Sequence, residues 1–320
     1  MTTELLDRPA VRDVPGVERA DVRTARLQRR LTLLVTIVPF IGFAFAVWSL
    51  WGHGLSPLDL TIFFALYIFT GLGVTVGFHR LFTHRSFETT RWLRGLLAIA
   101  GSMAVQGPVI TWVATHRRHH AFSDKEGDPH SPHLDEGPGV TGVLKGLWHA
   151  HLGWLFDTEE TTLPERWAPD LLKDPMVRRI DRLFPLWVLV SFGAPAALGF
   201  ALTGTFGGAL SAFLWGSLAR IFFLHHVTWS INSICHFYGN RPFETPDFST
   251  NNWVLALISF GESWHNNHHA FPTSARHGLG RGQVDVSASL IALLQRLGWA
   301  RSVKVVSPKQ LATKSSKTST

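Results

Sequence analysis

The chain has 320 residues, 46% apolar and only 17% charged, against about 25% charged in a typical soluble domain. Thirteen Trp and 23 Phe, with a mean hydropathy of +0.12, exclude a disordered chain and argue for a membrane protein. Cys235 is the single cysteine, which excludes disulfide frameworks and thiolate metal sites. The net charge of +7 lies at the chain ends and beside apolar segments rather than in one stripe, so nucleic acid is not an expected partner.

Residues 1–30 are polar and of mixed charge, and read as a flexible cytoplasmic tail ending in Arg23, Arg26, Arg29 and Arg30. No apolar run lies close enough to Met1 for a signal peptide. Leu31–Trp51 then runs 21 residues without a charge and Leu60–Phe78 runs 19, and about 20 apolar residues span a bilayer. The joining stretch, Gly52–Asp59, has no Lys or Arg, whereas Arg29, Arg30, Arg80 and Arg85 flank the pair on the other side. The positive-inside rule predicts that those flanks are cytoplasmic.

Gly95–Val113 is also uncharged, but Gly101, Gly107 and Pro108 interrupt it. It is expected to bury a face without crossing, because a crossing would place His116–His120 opposite His79–His84. Residues 114–182 are polar, and Leu183–Ala219 is 37 residues without a charge, enough for two spans with a turn near Thr203–Gly208. Beyond Ser230 the chain is mostly polar, with one amphipathic stretch (Val286, Leu290, Ile291, Leu294, Leu297) and a basic tail, 308–320. The expected fold is an all-α integral membrane protein, in a bacterium one of the cell membrane. Four transmembrane helices, about 31–51, 60–78, 184–202 and 208–228, carry a cytoplasmic helical cap. The cap is built from blocks 79–182 and 230–307, holds a histidine-rich dimetal site, and shares the cytoplasmic side with both termini. Residues 31–307 form the single functional domain.

Histidine carries the chemistry. Of 17 histidines, most fall into His79–His84 (HxxxxH), His116–His119–His120 and His265–His268–His269 (both HxxHH), and Asn232–His236 (NxxxH). Residues at i, i+3 and i+4 share a helix face, so each HxxHH is expected to converge on one point. His79 and His84, five apart, diverge on an ideal α-helix and are expected where the second span frays. One HxxHH alone says little, since histidines are common on polar faces. Two of them with two further groups exceed the needs of one ion and fit two.

These motifs, in this order relative to the spans, resemble the membrane fatty acyl desaturases, especially the acyl-CoA Δ9 (stearoyl-CoA type) branch. The resemblance covers about 31–307 and includes His79-Arg80-Leu81, Gly127-Asp128-Pro129-His130, Tyr238-Gly239-Asn240-Arg241-Pro242 and Gly261-Glu262-Ser263-Trp264. It implies two iron ions (Fe2+) held by His79, His84, His116, His119, His120, His236, His265, His268 and His269, with Asn232 reaching one metal through water. It also implies O2 as oxidant, a fatty acyl-CoA of C16–C18 as substrate, and a cis double bond at Δ9. A bent substrate tunnel would be shaped by Gln106, Trp112 and Thr228, with Trp229 beside it. No catalytic side chain is expected beyond the metal site. Electrons would come from a separate protein of ferredoxin, cytochrome b5 or flavoprotein reductase type, and membrane lipids surround the spans. Where the animal members carry Asn after the Gln and Arg-Asp before the second histidine group, this chain has Gly107, Ala114 and Thr115, so recognition of the polar head differs.

The remaining histidines, His130, His133, His149, His151 and His277, are expected around the site or at the surface, and His225 and His226 in structural roles. Asp128 and Glu262 are candidates to accept ligand N–H bonds, and Cys235 reads as a small buried filler. A membrane hydroxylase, or a desaturase acting on another acyl carrier, shares the histidine pattern. A metal transporter does not, because its polar groups would lie within the spans.

Overall fold

The computed structural model describes residues 14–134 and 137–315. Strand β1 (Val17–Arg19) precedes helix α1 (Val22–His53), whose N-cap Asp21 accepts hydrogen bonds from the Arg23 and Thr24 amides. Gly54, at φ +69°, ends α1 in a conformation that costs glycine little. Ser56 caps α2 (Pro57–Leu72), with Pro57 in the first turn. The helix then continues without a break as a π-helix, Gly73–Thr83.

After the π-helix come β2 (Glu88–Thr89), α3 (Arg91–Ser102) and α4 (Val109–Phe122), then α5 (Gly139–His151) and β3 (Glu160–Thr162). Short helices α6 (Pro164–Trp167), α7 (Pro169–Leu172) and α8 (Pro175–Arg182) lead to α9 (Phe184–Thr203). Gly204, at φ +68°, turns α9 into α10 (Phe206–Phe213), which passes through a second π-segment (Leu214–Ala219) into α11 (Arg220–Ser233). A long irregular stretch carries α12 (His265–Ala270), followed by α13 (Val286–Arg296), β4 (Ala300–Arg301) and α14 (Pro308–Ser315).

Among the described residues, four helices are long and apolar enough to cross a membrane: Val22–Leu50, Pro57–Thr83, Phe184–Thr203 and Phe206–His236. The segment expected not to cross is two short helices, α3 and α4, joined by a turn at 103–108. At 1.5 Å per residue neither reaches the ~30 Å of a hydrocarbon core. The main core lies between the π-helix, α3, α4 and α13, around Phe78, Phe82, Leu97, Val113 and Ile291.

Both chain ends carry regular structure where they are described. Of the flexible tail read over 1–30, residues 1–13 lie outside the described residues. From Val14 on, β1 pairs antiparallel with β3, and the basic patch at 23–30 is the first turns of α1, because Asp21 starts the helix early. The basic tail at 308–320 is helical over Pro308–Ser315. Lys314 donates to the carbonyl of Ala270 and sits 4.8 Å from the Phe271 ring centre, which fastens it to the end of α12. Residues 316–320 lie outside the described part.

Candidate metal centre

The π-helix decides where the first two histidines point. Its i→i+5 hydrogen bonds include His84 N to His79 O at 3.1 Å, so residues five apart stack one above the other. The ring centres of His79 and His84 are 4.8 Å apart. The span therefore does not fray at this point, as expected from α-helical geometry. It is wound more loosely, which is what lets HxxxxH close on one centre.

Nine histidines gather into two groups, with all donor atoms of a group within 4.8 Å of one another. One is His79, His84, His116, His120 and His268; the other is His119, His236, His265 and His269. Neither HxxHH converges on one point, contrary to expectation. At 100° per residue, the side chains three and four along a helix diverge by that same angle, so α4 sends His116 and His120 to one group and His119 to the other. α12 does the reverse, giving His268 to the first and His265 and His269 to the second.

The nitrogens meet face to face: His79 Nε2 to His268 Nε2 at 3.1 Å, His268 Nε2 to His120 Nε2 at 3.0 Å, and His265 Nε2 to His236 Nε2 at 3.0 Å. Two imidazole nitrogens about 2.1 Å from one ion and at right angles around it lie about 3.0 Å apart. His84 Nε2, His119 Nε2 and His269 Nε2 are buried without a hydrogen-bond partner among the described residues. Buried nitrogens in this state fit a metal ion.

Each group is backed by carboxylates. His79 Nδ1 donates to Glu262 at 2.5 Å, His119 Nδ1 to Asp128 at 2.9 Å, His236 Nδ1 to Asp124 at 2.8 Å and His269 Nδ1 to Asp247 at 2.8 Å. Such bonds fix the tautomer and aim the opposite nitrogen at the centre. Burial opposes the charge of Asp124, yet its bond to His236 holds it down to about 2, and Asp128 and Asp247 lie below the usual carboxylate range for the same reason. Burial and then mutual repulsion push His84, His116, His120, His265 and His268 well below the ordinary imidazole value, and His269 follows by burial and the nearness of His265. Neutral imidazole is the form that ligates a metal.

Asp128 and Glu262 were legible beside the histidine motifs; Asp124 and Asp247 carried no spacing signal. The other histidines divide. His130 stacks on His119 with ring centres 4.3 Å apart, and buried His277 lies 4.4 Å from His268 and 3.1 Å from a nitrogen of Arg80. His133 donates to the His236 carbonyl at 2.6 Å, His151 bonds His226 and Ser233, and His225 donates to the Ala104 carbonyl. His149 is half-buried on α5 and Cys235 is fully buried. Arg80, fully buried, ties the π-helix to the segments around α12 and α13 through Glu262 at 3.0 Å and Asp285 at 2.9 Å.

A cavity of about 680 Å³ reaches this centre, where His79, His116, His265 and Asn232 contribute to its wall. Gln106, Trp112, Thr228 and Trp229 line it as well. Gln106 Nε2 donates to Thr228 Oγ1 at 2.9 Å, pinning the α3–α4 turn to α11. That turn carries Val105 at φ +61°, a strained conformation for a β-branched residue. The cavity walls are otherwise mainly apolar, which suits a hydrocarbon chain.

Residues 55–290 match the profile of the family described as "Fatty acid desaturase". Over 289 residues the chain is 40% identical to the hex-5-enoyl-[acyl-carrier protein] acetylenase of Moorena producens (strain JHB), covering 90% of each chain. It is 42% identical to the sn-1 stearoyl-lipid 9-desaturase of Anabaena variabilis (75% of this chain, 81% of the relative). It is 41% identical to the acyl-CoA C20 Delta5-desaturase of Anemone leveillei (76% and 73%).

Proposed function

The chain belongs to the fatty acid desaturase family, and on that basis we propose that it introduces a cis double bond at Δ9 of a saturated C16–C18 acyl chain. One observation carries the reading: a mainly apolar cavity leads to two facing histidine groups, each backed by carboxylates. Bound iron would supply the O2-dependent oxidation that no side chain can perform on an unactivated methylene. The ligands on this reading are the nine histidines, with Asn232 placed in the cavity wall to reach the second group through water.

The chain's own residues hold the metals and hold the substrate. The Gln106–Thr228 bond and the Trp112 indole, stacked 4.9 Å from the His116 ring, fix where the hydrocarbon passes the centre. No side chain needs to act as a general base. The active site and both termini are cytoplasmic on this reading, and a separate protein donates the electrons. The acyl-CoA carrier expected from the resemblance is one of three carriers named among the relatives, beside acyl-carrier protein and lipid.

Expression in a host that makes no unsaturated fatty acids, followed by mass spectrometry of double-bond position, tests the proposal. A single Δ9 product is expected, lost in His236→Ala and His268→Ala. Near-normal product in either variant would sink the nine-ligand assignment. Trp112→Ala should lower turnover or scatter the double-bond position; the same clean product at the same rate would leave Trp112 no part in the bend. A hydroxylated chain as the main product would replace the desaturase reading.

A further inference from the structure

Arg220 stands near the middle of the membrane-length helix Phe206–His236 and is fully buried. Its hydrogen bonds among the described residues all go to neutral oxygens. Nε donates to the Gly216 carbonyl at 3.0 Å, Nη1 to the Met103 carbonyl at 3.2 Å, and Nη2 to Ser191 Oγ at 2.8 Å and the Ser191 carbonyl at 3.3 Å. A charged side chain at such a depth is costly and calls for a functional reason.

What it holds is the turn between α3 and α4. Among the described residues no backbone amide reaches the carbonyls of Met103 and Ala104. Irregular backbone at membrane depth persists only where the protein satisfies it, and here side chains do so. Met103 O accepts from Arg220 and, at 2.6 Å, from Ser191 Oγ; Ala104 O accepts from buried His225 Nε2 at 2.9 Å. With the Gln106–Thr228 bond, α11 therefore presents Arg220, His225 and Thr228 to residues 103, 104 and 106 in the same order. Between these rungs stands Val105, whose φ of +61° needs support from its surroundings to persist.

Val105, Gln106 and Gly107 line the cavity, as does His225, whereas Arg220 stands behind the wall. A saturated chain offers no polar handle along its length, so the wall alone decides which methylene faces the histidines. A displacement of about 1 Å is enough to spoil such an alignment. We propose that Arg220 and His225 are positioning residues for double-bond placement. From within the membrane they hold the backbone of the turn, and through it Gln106, so that the bend keeps one register against the histidine centre. This rests on the desaturase reading and names what fixes its regiospecificity.

The test pairs each loss of a donor with a variant that keeps one. Arg220→Met removes the hold without touching the cavity wall, and Arg220→Lys retains a charged donor. His225→Leu removes the donor to Ala104, and His225→Gln retains an N–H of similar reach. In a host that makes no unsaturated fatty acids, the parent should place one double bond. Arg220→Met and His225→Leu should raise the share of shifted positional isomers about tenfold with bound metal unchanged, and Arg220→Lys and His225→Gln should largely restore the single position. Amide hydrogen exchange of residues 103–107 in the purified protein should quicken in the two donorless variants while α13 exchanges as before. One unshifted double bond in both Arg220→Met and His225→Leu would overturn the proposal, and so would equal scatter in His225→Leu and His225→Gln. Should Arg220→Met fail to accumulate, the His225 pair decides. Exchange needs no turnover, so it stands apart from the desaturase reading. A parent that forms no double bond would overturn that reading and the placement role with it, whereas a parent with one double bond and unshifted variants overturns the proposal alone.

Discussion

At the residue scale, the centre is held by bonds that lie behind the ligands. Asp247→Asn keeps the size of the side chain but weakens the grip on His269 Nδ1, and Asp124→Asn does the same at His236. Loss of such a carboxylate typically costs about 10–100-fold in metal affinity, so metal retained against a chelator should fall while the helix content read by circular dichroism stays. Unchanged retention would reduce these aspartates to loop fasteners, since Asp124 also accepts from the Phe248 amide. The depressed histidines add a pH dependence. The unfolded chain takes up protons at about pH 6.5 that His84, His116, His120, His265, His268 and His269 refuse when folded. Stability of the chelated, metal-free protein is therefore full above that pH and lost as the pH falls below it. His119, raised by Asp128 against the effect of burial, works the other way, but as one group against six. The thermal midpoint in detergent should drop between about pH 7 and pH 5; a flat profile would show that the centre takes up protons freely. Spacing in the sequence exposed the histidines because helical neighbours are local. It could not expose Asp124 or Asp247, whose partners lie 112 and 22 residues away.

At the scale of elements, the π-helix is the piece that the sequence hides. Apolar length reveals a span, but nothing in Gly73–Thr83 distinguishes an i→i+5 ladder from an i→i+4 one before the neighbours are in place. One neighbour is visible in the packing. A Cβ on Gly73 would lie 2.2 Å from the Gly101 amide nitrogen, and one on Gly101 2.4 Å from the Phe78 ring, so the π-helix and α3 cross backbone against backbone, as small residues allow in membranes. Gly73→Ala should push the two apart at a cost of about 1–3 kcal/mol, read as a lower thermal midpoint, and should reduce bound metal because His79 and His84 ride on the displaced segment. A variant as stable and as metal-rich as the parent would show that the crossing is not what sets the histidines. The four helices long and apolar enough to span, and the shortness of α3 and α4, were legible because apolar length and its breaks are read directly from the sequence. The early start of α1 was not, since its cause is one capping aspartate and a strand partner at 160–162.

At the scale of the whole molecule, the distribution of charge around the spans makes sidedness measurable. Cys235 is fully buried, so a single new thiol reports alone. Leu55→Cys should react with an impermeant reagent from outside intact cells and Lys125→Cys only after lysis. Labelling of Lys125→Cys from outside would place the histidine centre on the other face. The division of α4 and α12 between the two histidine groups has its own consequence, and it concerns how the protein fills. On the two-ion reading, neither ion could be seated without drawing in both helices, so the first to arrive would set the geometry that the second needs. Uptake should then be cooperative, a titration with one steep step rather than two shallow ones. His119→Ala, which removes a donor from one group only, should weaken both sites together. Half-filled protein would be scarce at every metal concentration, leaving molecules that are either empty or ready.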